Sequence, residues 1–141
     1  MNSRDKLCVL GGGYGKSERH RRLLFSCARP AALGQWYDDH LGVTVVPSNY
    51  DEPGWRQEAG PTAFAPFPTT TTYFGDAGKN WMINFRVRNL DAMTAQLRAA
   101  GISIEINRER YPNGRFAHLN DPEGNPIELW EPAGRDAPLK A

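Results

Sequence analysis

Leu23, Phe25 and Cys27 alternate with Arg22, Leu24 and Ser26, the period of a strand that packs one face against a core. Pro30 starts a different rhythm: Leu33, Trp36, Tyr37 and Leu41 recur at helical spacing until Gly42. The pattern predicts a helix of about three turns over Pro30–Leu41, with proline in its first turn and glycine at its end. Residues 43–46 read as a strand. Residues 55–59 and 62–67, joined by Gly60-Pro61, read as a hairpin, and 68–80 as a polar loop.

At Trp81 the order repeats. Ile83, Phe85 and Val87 alternate with Met82, Asn84 and Arg86. Asn89 then caps a helix striped by Leu90, Met93, Leu97 and Ala100 and closed by Gly101. Three strands follow at 102–106, 115–120 and 126–131, the last two joined by the turn Asp121-Pro122-Glu123-Gly124-Asn125. Leu23, Phe25 and Cys27 fall 60 positions before Ile83, Phe85 and Val87, and Gly42 falls 59 before Gly101, so one supersecondary unit is present twice.

Composition narrows the function classes. A chain of 141 residues, 40% hydrophobic and 23% charged, makes one globular domain that needs neither disulfide nor metal in order to fold. No apolar run approaches the roughly twenty residues of a membrane span. A formal charge of +1 offers no field for nucleic acid or an anionic membrane, and the basic cluster Arg19-His20-Arg21-Arg22 is short. Cys8 and Cys27 sit among apolar neighbours and read as small buried hydrophobes. The glycine-rich segment 11–15 fails the phosphate-loop spacing, which would require glycine at Leu10, and also fails the dinucleotide spacing, whose last glycine would fall on Lys16. The expected organisation is a leader at 1–20, a domain at 21–132 with modules at 21–75 and 80–132, and a tail at 133–141. Without the apolar core and cleavage site of a secretory signal, the expected compartment is cytoplasmic.

Trp36-Tyr37-Asp38-Asp39-His40-Leu41-Gly42, Asn89-Leu90-Asp91-Ala92, Ala99-Ala100-Gly101-Ile102 and Asp121-Pro122-Glu123-Gly124-Asn125-Pro126-Ile127-Glu128-Leu129 resemble landmarks of the vicinal oxygen chelate superfamily, which holds glyoxalases, bleomycin-resistance proteins and extradiol dioxygenases. The resemblance covers about residues 22–132. It implies an α+β fold of two βαβββ modules, each a curled mixed sheet with its helix on the convex face, and by analogy a homodimer. Leu23, Phe25, Cys27, Ile83, Phe85, Val87, Ile127 and Leu129 would then pack under the helices. Arg22, Leu24, Ser26, Met82, Asn84, Arg86, Glu128 and Trp130 would line the concave cleft.

Metal-using relatives carry His or Glu on the first strand of each module and Glu or Gln on the fourth. The resemblance carries the two first-strand positions onto Arg22 and Met82, and the second module's fourth-strand position onto Glu128. Arginine offers only donors, a thioether suits soft Cu(I), and 62–67 contains no His, Glu or Gln. Glu128 alone survives, so the expectation is no metal ligand set and no cofactor, with a divalent ion recruited through His118 as the disfavoured alternative. Glu128 is the candidate catalytic residue, a general base or the salt-bridge partner of Arg86 or Arg22. Ser26, Tyr73, Asn84, Arg86, His118 and Trp130 are candidate ligand contacts, with Trp130, Tyr73 and Phe74 as an aromatic wall. The expected function is binding of a small organic molecule in the cleft. The alternatives are a lyase, isomerase or dioxygenase working through Glu128, and a structural or regulatory dimer with a vestigial cleft.

Overall fold

The computed structural model describes residues 22–75 and 78–138. The expected leader at 1–20 with Cys8 and the glycine-rich segment, Arg19 to Arg21 of the basic cluster, and the end of the expected tail lie outside the described residues.

The elements run α1 (Pro30–Leu41), β1 (Ile83–Arg86), α2 (Leu90–Ala99), β2 (Ile104–Ile106), β3 (Gly114–Asn120), β4 (Pro126–Pro132) and a short 3₁₀ turn (Gly134–Asp136). The four strands form one mixed sheet in the order β1-β4-β3-β2, with β1 parallel to β4 and the other pairs antiparallel. This is the βαβββ order predicted for the second module, and a small α+β architecture. Alternation then sorts the side chains. Phe85, Ile127, Leu129, Leu119, Ala117 and Ile104 face the helices and form one core with Leu90 and Leu97 of α2 and Leu33 and Tyr37 of α1. The opposite face is left for Asn84, Glu128, His118 and Glu105, direct neighbours across all four strands.

The helix ends follow the local chemistry that the sequence announced. The Asn89 side chain accepts a hydrogen bond from the amide of Ala92 at 2.9 Å and caps α2, while Gly42 ends α1 at φ 66°, in the left-handed region. The 121–125 turn does more than reverse the chain. Asp121 Oδ1 accepts from the amides of Glu123 and Asn125, and its Oδ2 accepts from Asn125 Nδ2 and from the buried hydroxyl of Tyr37, each at 2.8 Å. The Glu123 carboxylate in turn accepts from the amides of Ala28 and Arg29, just ahead of α1. One turn of the second module thus binds the first helix by its middle and by its start.

The first module departs from expectation. Residues 22–27, 43–46, 55–59 and 62–67 form no strand ladder among the described residues. Cys27 packs against the core, whereas Leu23 and Phe25 stay largely exposed, so the expected burial of that face is not met. Pro66, inside 62–67, lacks the N–H that a ladder needs, and among the described residues none of the other three segments has a strand paired to it. Residues 55–59 pass β1 instead. The Trp55 ring lies 6.4 Å from Phe85, and Arg86 donates to the carbonyls of Glu58 and Ala59.

Candidate functional site

The central carboxylate is Glu128, in the middle of β4 and only 8% exposed. Strand register supplies two of its partners. Asn84 on β1 and His118 on β3 lie directly opposite it, so Asn84 Nδ2 donates to Oε1 at 2.7 Å and His118 Nε2 to Oε2 at 2.8 Å. The third partner is the Tyr73 hydroxyl, brought in from the 68–75 loop to share Oε2. An ionised carboxylate accepts only, so the shared hydrogen on His118 resides on Nε2.

Burial pushes the Glu128 carboxyl up, but the hydrogen bonds from His118, Tyr73 and Asn84 outweigh it and hold the group below the usual carboxylate range. Burial, followed by the bond to Glu128, pushes the Tyr73 phenol well above its ordinary value. The pair is therefore a carboxylate and a neutral phenol across the whole neutral range.

Aromatic rings surround this centre. Tyr73 meets His118 edge-on at 5.5 Å and 90° and stacks on Phe67 at 5.4 Å, with Phe74 beside Phe67. Two positions along β3 and β4, Phe116 and Trp130 stack at 4°, and the indole N–H of Trp130 is tied to the Asn113 carbonyl at 2.8 Å. On the far side of His118 a depression of about 450 Å³ opens between it and Glu105, Ile106, Asn107 and Arg108.

Of the expected site residues, the fold brings Glu128, Tyr73, Asn84 and His118 into one hydrogen-bonded cluster, and Trp130 lies on the same face. Arg86 is a correction. It shares that face of β1, but its guanidinium is spent on the carbonyls of Glu58 and Ala59, so the Arg86–Glu128 salt bridge, one of the alternatives for Glu128, does not form. Arg22 and Ser26 are exposed and are not among the groups bonded to Glu128. Sequence reasoning missed Phe67, Phe116 and Glu105. Phe116 was visible in principle, since it alternates in phase with His118; Phe67 was not, because its position depends on a loop.

Residues 22–130 match the family described as Glyoxalase-like domain. The chain belongs to that family. The match carries the membership in the vicinal oxygen chelate superfamily that the landmark segments implied. Among relatives, the chain is 30% identical over 106 residues to the uncharacterized protein YaeR of Escherichia coli (strain K12), covering 68% of this chain and 82% of YaeR. Two solved structures from Streptomyces sp. CB03234 are also similar. A glyoxalase/bleomycin resistance protein is 33% identical with a TM-score of 0.32, covering 35% of this chain and 42% of that one. TnmS3, an antibiotic binding protein, is 24% identical with a TM-score of 0.48, covering 75% of this chain and 88% of that one. Among the described residues, no helix is long and apolar enough to cross a membrane.

Proposed function

We propose that this glyoxalase-like chain binds a small organic molecule on the concave face around Glu128, without the usual divalent metal. The observation that carries the reading is the state of the Glu128 carboxylate: both oxygens accept hydrogen bonds, from Asn84, His118 and Tyr73, in a setting rimmed by aromatic rings. Such a centre fixes the orientation of an organic ligand through a few polar contacts among apolar ones.

The donor set supports the metal-free part of the proposal. Arginine and methionine at 22 and 82 do not fit a hard divalent ion, and Glu128 with His118 supplies two ligands where a stable site with open positions needs about three from the protein. The His118–Glu128 contact of 2.8 Å also keeps one enzyme reading in view, a histidine–carboxylate pair recruiting an ion. Metal loading separates the two. A homodimer belongs to the proposal as well, supported by the large apolar side chains of Leu24, Val46 and Phe64 left facing solvent.

The test is a thermal-shift screen of a chemically diverse small-molecule library on wild type, Glu128→Ala and His118→Ala. The expected result is hits that stabilise wild type and lose at least most of their shift in Glu128→Ala. Hits that stabilise both proteins equally would place the ligand elsewhere, and light scattering on the same samples reads the dimer.

A further inference from the structure

Among the described residues Tyr37 and Tyr73 donate to buried carboxylates, Asp121 and Glu128, while Tyr111 donates to the exposed Glu109; of the two buried pairs, only one is fixed by structure around both partners. Tyr37 is 6% exposed, and its partner Asp121 is locked by its own turn. Tyr73 is 47% exposed and belongs to a loop whose backbone is held by short-range bonds, Tyr73 N to Thr71 Oγ1 and Gly75 N to the Thr72 carbonyl. Gly75 and Gly78 both take positive φ, 81° and 96°, at the end of that loop. What holds the Tyr73 ring is the buried carboxylate at its hydroxyl, the edge contact with His118 and the stack on Phe67, itself exposed. An exposed loop thus delivers a phenol to a buried acceptor.

We propose that the ligand of this site carries an aromatic hydroxyl, and that Tyr73 occupies the position of that hydroxyl until the ligand displaces it. This rests on the binding reading above and gives it a ligand class. Glu128 Oε2 is an ionised acceptor facing out from β4, so it selects an O–H donor, and a donor to a charged acceptor is worth about tenfold or more in affinity. The ring contacts select an aromatic carrier: His118 receives a ring edge, and the Phe116–Trp130 stack extends the aromatic floor along the same face. An aliphatic alcohol would satisfy Glu128 and leave those contacts unmade. Tyr73 acts as a tethered competitor, lowering the apparent affinity of a free phenol by the fraction of time the site is open.

The experiment uses p-cresol, which is the tyrosine side chain detached from the chain, titrated by NMR into wild type, Tyr73→Phe and Tyr73→Ala with the Asn84 side-chain amide as reporter. Toluene and 4-methylcyclohexanol are the controls lacking the hydroxyl and the aromatic ring. The expected order is Tyr73→Ala tightest, Tyr73→Phe intermediate and wild type weakest, with about tenfold or more between the extremes. In Tyr73→Ala, p-cresol should bind about tenfold tighter than either control. Equal p-cresol affinity in all three proteins overturns the proposal, and so does toluene binding to Tyr73→Ala as well as p-cresol, which would report a mere cavity. If Tyr73→Ala does not fold, Tyr73→Phe against wild type decides the matter by the same order. Library hits that depend on Glu128 while p-cresol shows no preference would sink this inference and leave the binding reading standing.

Discussion

Residues 83–132 bury Leu90, Leu97, Ile127 and Leu129 completely, whereas residues 43–67 leave Val46 82% and Phe64 94% exposed. Both halves carry strand-like alternation, and both carry a helix that ends at glycine. The difference lies in partners. In the second half β3 and β4 are joined by a five-residue turn and pair over seven positions, and β1 adds to β4 through the α2 crossover. In the first half residues 55–59 pass β1 through Trp55 and Arg86, yet among the described residues no segment there finds a strand partner, so its alternation is not turned into a ladder. Alternation sets which way side chains point; a sheet also needs a neighbour that donates and accepts.

If that contrast is right, core truncations should separate the halves most strongly. Leu129→Ala, which empties a fully buried position, should cost about 2–5 kcal/mol in urea unfolding, while Phe64→Ala, measured on monomeric protein so that the proposed dimer contact does not enter, should stay within about 0.5 kcal/mol. Similar costs for the two would show that residues 43–67 pack in solution. Next comes the link between the halves. Tyr37→Phe removes the buried hydroxyl from Asp121 and should cost roughly 1–3 kcal/mol, more than Tyr73→Phe at the exposed loop. The reverse ranking would make Tyr73 the structural residue.

A smaller effect is set by pH. The Glu128 carboxyl is held below its ordinary value in the folded protein, so the folded state binds fewer protons than the unfolded chain. The stability it adds is present above the unfolded carboxylate value and fades as pH falls through the folded one. The difference in urea midpoint between wild type and Glu128→Gln should therefore be larger at pH 7 than at pH 3. A constant difference would mean that the carboxylate gains nothing from its three donors. The smallest effect is expected at Arg86, an exposed side chain. Arg86→Ala should change stability by no more than about 0.5 kcal/mol yet speed proteolytic cleavage within residues 55–61, which it holds by two carbonyls.

What could be read in the sequence follows the same division. The predicted helix at Pro30–Leu41 matches α1, and the second module's strands lie within about two residues of their predicted bounds, because short-range contacts and caps such as Asn89 set them. The His118–Glu128 contact follows from register once the 121–125 turn is recognised, whereas the Asn84–Glu128 contact depends on how β1 pairs with β4 across the α2 crossover. Tyr73 was visible only as an aromatic on a loop; that its hydroxyl meets Glu128 depends on loop closure, which carries no period. Arg86 was one of two alternative salt-bridge partners read for Glu128, beside Arg22, and backbone carbonyls 27 and 28 residues away compete for it. The role of Asp121 and Glu123 in holding α1 was hidden inside a motif that reads as a simple turn.

The central claim is that Glu128 serves an organic ligand through hydrogen bonds and not a divalent ion. Elemental analysis of the purified protein, before and after loading with Mn, Fe(II), Ni and Zn, tests it most directly when wild type is run beside Glu128→Ala. Well under one ion per chain is expected in both proteins after dialysis. A near-stoichiometric, tightly held ion in wild type that disappears in Glu128→Ala would contradict it.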